Sequence, residues 1–372
     1  MNIVTLSMRI KSSRFNPPRD FCHGDKNAVV FGFYMGYQLG LIHAYGVRRH
    51  HLVSICFTGL PRMISKLPPA LLLTLSALFW GGNFVVGRWA HSDIPPLNLT
   101  FWRWVAAGVI LLPFVARGIW LHRALVRQHF ALLLVLAVTG MVMFHSFTYI
   151  ALGTTTAINA AVVLASMPMV IPVISVVMGD ERLSRRQAAG IAISVLGVVA
   201  IVSRGEWNVL INLSFTPGDL WVLAAVLAWS VYSVLLKRLP KGEGQKLPPM
   251  VVLGATNWIA IVVLLPFYLW EYDAVGGFVV NTSSLLVIAY VALFASIAAF
   301  VCWNAAVPQV GANKAGLFIH LIPLFASIFS IIFLGESLQT YHFIGIAPIL
   351  LGVYLTTTAK PPAARPPQLK DA

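Results

Sequence analysis

The chain has 372 residues, 58% of them hydrophobic and only 10% charged, with a formal net charge of +14. That leaves too little polar surface to clothe a water-soluble domain, so lipid must be the main solvent of the fold. The basic excess would suit nucleic acid in a soluble protein, but here the Lys and Arg residues lie between apolar runs, the pattern of a polytopic membrane protein.

In chain order, residues 1–62 come first and are mixed in character. Ala28 to Gly46 is apolar but interrupted by Gln38 and His43, and the segment lacks the charged region, apolar core and cleavage site of a secretory signal. It is expected to be a disordered or start-site extension, with the functional chain opening at Met63. From Pro69 onward, runs of about 20 apolar residues, enough to cross a hydrocarbon core of about 30 Å, alternate with short polar connections. They predict spans at 70–90, 97–116, 130–150, 155–178 and 186–203, then at 218–238, 249–270, 284–307, 312–334 and 341–359, ten in all. The Pro- and Ala-rich tail, 360–372, reads as disordered and cytoplasmic.

Basic residues mark every second connection. Arg62 and Lys66, then Arg117, Arg123 and Arg127, then Arg182, Arg185 and Arg186, then Lys237, Arg238, Lys241 and Lys246 would lie inside, whereas the intervening connections hold Arg204 alone. Both ends of the bundle are therefore expected in the cytoplasm, with the protein multi-pass in the cell (inner) membrane.

The ten spans contain a repeat. Asn159, Ala160, Pro168, Glu181, Leu183, Gly190 and Gly197 recur as Lys314, Ala315, Pro323, Glu336, Leu338, Gly345 and Gly352, at the constant offset of 314 minus 159, or 155. Trp80 and Arg88 match Trp229 and Lys237 at 229 minus 80, or 149. Five spans is an odd number, so a second copy must enter the membrane from the opposite face. The expected fold is all-α and integral to the membrane: ten transmembrane helices as two inverted five-helix repeats, 63–203 and 204–359.

Leu78-Phe79-Trp80-Gly81-Gly82-Asn83-Phe84, Arg103, and the paired Pro-to-Glu blocks 168–181 and 323–336 carry a likeness. Through them the chain resembles the EamA family of the drug/metabolite transporter superfamily, from Met63 to about Thr358. The resemblance implies the ten-helix inverted-repeat fold and efflux of amino acids or other metabolites, and it names no single substrate.

A polar or charged group inside a span is costly, so it usually faces a cavity or a partner. Arg103 qualifies, either meeting a substrate carboxylate or snorkelling to head groups. His145, one turn from Tyr149, and His320, just before Pro323, are titratable candidates that could equally serve as packing glue. Trp80, Asn83 and Phe84 share a face of the first span, as Trp229 and Tyr232 do in the sixth. Facing each other, they would line a substrate cavity that Trp303 and Asn304 extend. Pro168 and Pro323 are candidate hinges. Glu181 and Glu336, after Gly179 and Gly335 at helix ends, are expected to cap the next helix or pair with loop bases.

The expected function is secondary transport, with export of amino acids or related small metabolites by alternating access between the repeats. The partners are then a small-molecule substrate and the lipid bilayer, without nucleic acid, in a monomer or homodimer. A membrane-embedded transferase or a non-transporting regulatory protein is the alternative. The transferase would want clustered His and carboxylates at a membrane face, which the sequence does not show. Cys22, Cys56 and Cys302 have no metal-ligand spacing and are odd in number, so no metal, cofactor or disulfide framework is expected.

Overall fold

A computed structural model describes residues 67–179, 184–212, 215–240, 247–310 and 318–357, all within the unit Met63–Ala372. The expectations for residues 1–62 and 360–372, for Glu181 and for Lys314 fall outside them, as does the side chain of Asn304.

Every regular element among the described residues is helical. Helices α1 (Pro69–Ala90) and α2 (Pro96–Leu121) both open with proline in the first turn, where a missing N–H costs nothing. Along α2, Leu99, Arg103, Trp104, Ala107, Gly108, Leu111 and Val115 are buried, a spacing of three and four that makes one continuous face. A short α3 (Arg123–Gln128) leads into α4 (Phe130–Leu152), which widens to π-helix at Val138–Met143. Helices α5 (Ala157–Leu164) and α6 (Met167–Val177) meet at a bend of 45°. Pro168 has no N–H to offer the Leu164 carbonyl, which places the break just ahead of it.

The second set begins beyond α7 (Arg185–Val202), which opens on a Ser184–Gln187 capping box, and the single turn α8 (Trp207–Ile211). It comprises α9 (Pro217–Leu236), α10 (Pro249–Val275), α11 (Thr282–Trp303, running on helically to Val310), α12 (Leu321–Leu334) and α13 (Thr340–Thr357). Helix α11 widens to π-helix at Val291–Ala298, in the same part of its set as the widening in α4.

Seven of these helices, α1, α2, α4, α7, α9, α10 and α11, are long and apolar enough to cross a membrane, and the bent pair α5–α6 makes an eighth. The protein is thus an all-α multi-pass membrane protein. The described helices reach eight such spans against the ten expected, because α12, with 14 residues, and the apolar stretch Thr340–Leu355 are shorter. Part of the predicted ninth span, residues 312–317, lies outside the described residues.

Helix α1 packs against α11 and α12, and α9 packs against α4, α5 and α6; α2 lies against α10, and α7 against α13. The α7–α13 crossing is close because glycine allows it. A Cβ added at Gly197 would lie 2.5 Å from the Gly345 carbonyl oxygen, and one at Gly352 would lie 2.2 Å from that of Gly190. Ser194 Oγ donates to the Ile349 carbonyl across the same crossing at 3.1 Å. Small residues that let backbones approach are the usual means of joining helices in lipid, where apolar side chains gain nothing by leaving the solvent.

Candidate functional site

Arg103 sits about two turns into α2, on its buried face, and is 1% exposed. Its Nε donates to Ser296 Oγ at 2.7 Å, its Nη1 to Tyr149 OH at 2.7 Å and Asn83 Oδ1 at 3.1 Å, and its Nη2 to the Ala295 carbonyl at 3.4 Å. Tyr149 OH in turn donates to Asn83 Oδ1 at 2.8 Å. Of the two readings offered for Arg103, snorkelling to head groups is overturned, since four neutral oxygens hold the guanidinium inside the bundle. Asn83 comes from α1, Arg103 from α2, Tyr149 from α4, and Ala295 and Ser296 from α11.

The π-helical stretch of α11 explains why backbone oxygen is free to join. Widening a helix by one residue leaves carbonyls out of the regular ladder. The Ala295 carbonyl receives Trp80 Nε1 at 3.2 Å besides Arg103, and Ser296 Oγ bonds back to the Val291 carbonyl at 2.8 Å. The stretch in α4 behaves alike: its Met141 carbonyl accepts Trp104 Nε1 at 3.3 Å and His145 Nδ1 at 3.2 Å. A carbonyl only accepts, so the His145 ring carries a proton on Nδ1.

Rings link the predicted residues. Trp229 lies 4.7 Å from Phe144, Phe144 lies 4.9 Å from His145, His145 lies 5.1 Å from Trp104, and the Arg103 guanidinium lies 5.2 Å above Trp104. Tyr232 packs at a tilt beside Trp229 at 5.0 Å and covers Gly140 in the π-helical stretch of α4. Trp80 contacts Phe300 and Trp303, each at 5.6 Å. No ring contact joins Trp80 directly to Trp229 among the described residues; each instead packs on the π-containing helix of the other set. Phe84 is buried in the apolar core, and His320 immediately precedes α12 with its buried Nδ1 unpartnered among the described residues. Neither is tied to Arg103 by a hydrogen bond or ring contact among the described residues.

Sequence reasoning overlooked Ser296, Ala295, Trp104 and Phe144, and also Glu271 among the carboxylates at helix ends. Glu271 on α10 accepts from Leu97 N at 3.2 Å, Asn98 N at 2.7 Å and Asn98 Nδ2 at 2.8 Å, closing the start of α2. Glu336 was expected to cap the helix that follows it or to pair with loop bases. Instead its carboxylate takes Ala157 N at 2.9 Å and Ile158 N at 3.1 Å, while Thr156 Oγ1 takes Asn159 N, so the exposed amides of α5 are all satisfied. Gln339 N–H donates to His342 Nδ1, which leaves His342 Nε2 to donate to Asn159 Oδ1 at 2.8 Å. Asp219 accepts from Thr155 Oγ1 at 2.7 Å and from Thr216.

Comparison with known proteins gives a consistent pattern. The profile of the EamA-like transporter family matches twice, over residues 67–203 and 216–358. An uncharacterized transporter of Archaeoglobus fulgidus is 29% identical, covering 77% of this chain and 96% of its own length. A Salmonella typhimurium protein named "Probable amino-acid metabolite efflux pump" is 25% identical, over 76% of this chain and 93% of its own. The inner membrane transporter YedA of Escherichia coli is 29% identical, over 76% and 88%. One solved crystal structure superposes with a TM-score of 0.52 at 19% identity, covering 78% of this chain and 96% of that one, a likeness of fold alone.

Proposed function

The chain belongs to the EamA-like transporter family, and from that premise we propose that it exports amino acids or related small metabolites by alternating access between two inverted five-span halves. Membership makes it a secondary membrane transporter of small solutes and not an enzyme. The finer reading rests chiefly on one observation: the Arg103 site draws Asn83, Arg103 and Tyr149 from the first matched segment and Ala295 and Ser296 from the second. A substrate held there would touch both halves, as a carrier that rocks one half against the other requires.

Further support comes from the pairing of helices. Exchanging the two sets turns α1 on α11 into α9 on α4, and α1 on α12 into α9 on α5 and α6, while α2 on α10 and α7 on α13 exchange with themselves. Under the 155-residue offset Gly190 corresponds to Gly345 and Gly197 to Gly352, and the contacts run Gly190 to Gly352 and Gly197 to Gly345. That reciprocity is what a two-fold axis produces. In this reading α12 and α13 are the ninth and tenth spans, Pro168 and Pro323 allow bending, both ends of the bundle face the cytoplasm, and the membrane is the inner one, as named for YedA. The name of the Salmonella relative supports the amino-acid class.

Purified protein in proteoliposomes, offered labelled amino acids, amines and sugars with and without a pH gradient, is expected to move members of the amino-acid class. Silence across the whole panel would reject the transport assignment. Reporter fusions in the connections at Arg182 and Ser337 should report opposite faces of the membrane, and a shared face would reject the inverted halves.

A further inference from the structure

Resting on that transport reading, we propose that the Arg103 site selects solutes of net negative charge, an apolar or aromatic carboxylate ahead of a zwitterionic amino acid. The argument is one of charge balance. Helices α1, α2, α4 and α11, which build the site, contain no Asp or Glu, and neither does any stretch between Asp93 and Asp180 or between Asp273 and Glu336. Of the acidic groups at helix ends, Glu271 is engaged by α2 amides, Glu336 by α5 amides and Asp219 by Thr155 and Thr216. Arg103 is therefore a buried cation whose partners, among the described residues, are all neutral.

Neutral oxygens satisfy its donors without cancelling its charge, and a charge in a medium of low dielectric remains expensive until a counter-ion arrives. The Nη2 edge is the least engaged, with one long contact to the Ala295 carbonyl. A carboxylate meeting that edge gains a charge-assisted hydrogen bond and neutralises the site at once. The α-ammonium of an amino acid would be carried in with its carboxylate, close to the guanidinium and with no acid to receive it, so like charges would be brought together. Trp104 and Tyr149, whose rings lie 5.2 and 5.9 Å from the guanidinium, and Trp80, which shares the Ala295 carbonyl with it, suit an apolar or aromatic body on the ligand.

Three probes sharing one body separate the possibilities: 3-phenylpropionate as anion, phenylalanine as zwitterion and 2-phenylethylamine as cation. Titrated into the purified protein by intrinsic tryptophan fluorescence, and followed by counterflow in proteoliposomes, the anion should bind about tenfold or more tightly than phenylalanine, with the amine weakest. Arg103→Gln should erase the order. Asn83→Asp keeps an acceptor for both Arg103 and Tyr149 and supplies an internal counter-ion, so it tests the idea even if Arg103→Gln does not fold. It should weaken the anion about tenfold and bring the amine level with or ahead of it. Phenylalanine binding as well as phenylpropionate, binding of none of the three, or an unchanged anion preference in Asn83→Asp would overturn the proposal. Flux of phenylalanine without preference for charge would overturn it while leaving the transport reading intact, whereas no flux of any solute in the wider panel would remove both.

Discussion

At the α7–α13 crossing backbone meets backbone through Gly190, Gly197, Gly345 and Gly352, whereas around Arg103 side chains from three helices meet a fourth through polar atoms. The first contact is reciprocal, the Gly190–Gly352 pair being the repeat-equivalent of the Gly197–Gly345 pair. The second has no counterpart, because α10, the partner of α2 in the other set, contains neither Lys nor Arg. The scaffold keeps the correspondence between the two sets, and the site breaks it by placing one cation on one side. Stability and function should therefore separate when the two regions are altered.

The largest expected effect is at the crossing. Gly352→Leu would drive a side chain into Ser194 and the Gly190 carbonyl, at a cost of about 3 kcal/mol, the upper end of ordinary overpacking. Folded yield and thermal midpoint should fall together with flux. Arg103→Met should do the opposite, removing transport while leaving the thermal midpoint unchanged or raised, since replacing a buried charge by an apolar side chain of similar size is often neutral or stabilising. A midpoint that drops as far as in Gly352→Leu would make Arg103 a structural staple. Glu336→Gln keeps the shape but loses the charge at the start of α5, for about 1 kcal/mol, read as a small drop in midpoint with flux retained. Smallest is Trp80→Phe, which keeps the ring and forfeits the bond to the Ala295 carbonyl, at about 1 kcal/mol or less. Its flux should fall only in part, and a complete loss would show that the indole N–H itself handles substrate.

Much of the scaffold was legible in the pattern of apolar runs. The predicted first span, 70–90, became Pro69–Ala90, and the break ahead of Pro168 followed from the missing proline N–H. Arg103 was marked by its charge within an apolar run, Asn83 by the face it shares with Trp80 and Phe84, and Tyr149 by lying one turn from His145, and the three meet. Ser296 lay 193 residues from Arg103 in sequence and looked like an ordinary small polar residue, so only tertiary packing could join the two. The Ala295 carbonyl was invisible for a different reason: hydropathy carries no sign of the π-helical register that frees it. The expected meeting of Trp80 and Trp229 did not occur as drawn, because each ring found a nearer surface on α11 or α4.

That register has a consequence for how the site tolerates insertions and deletions. A π-helical stretch holds one residue more than the α-helix it interrupts, so shortening Val291–Ala298 by a single residue would let the segment relax into regular geometry while the helix on either side survives. The helix beyond the deletion would keep about its present phase, while the residues inside the stretch would turn relative to their present neighbours. Loss of the extra residue should be mild for folding and severe for the bonds that Ser296 and the Ala295 carbonyl make to Arg103, which makes α11 the place where a one-codon change would separate a sound helix from a working one.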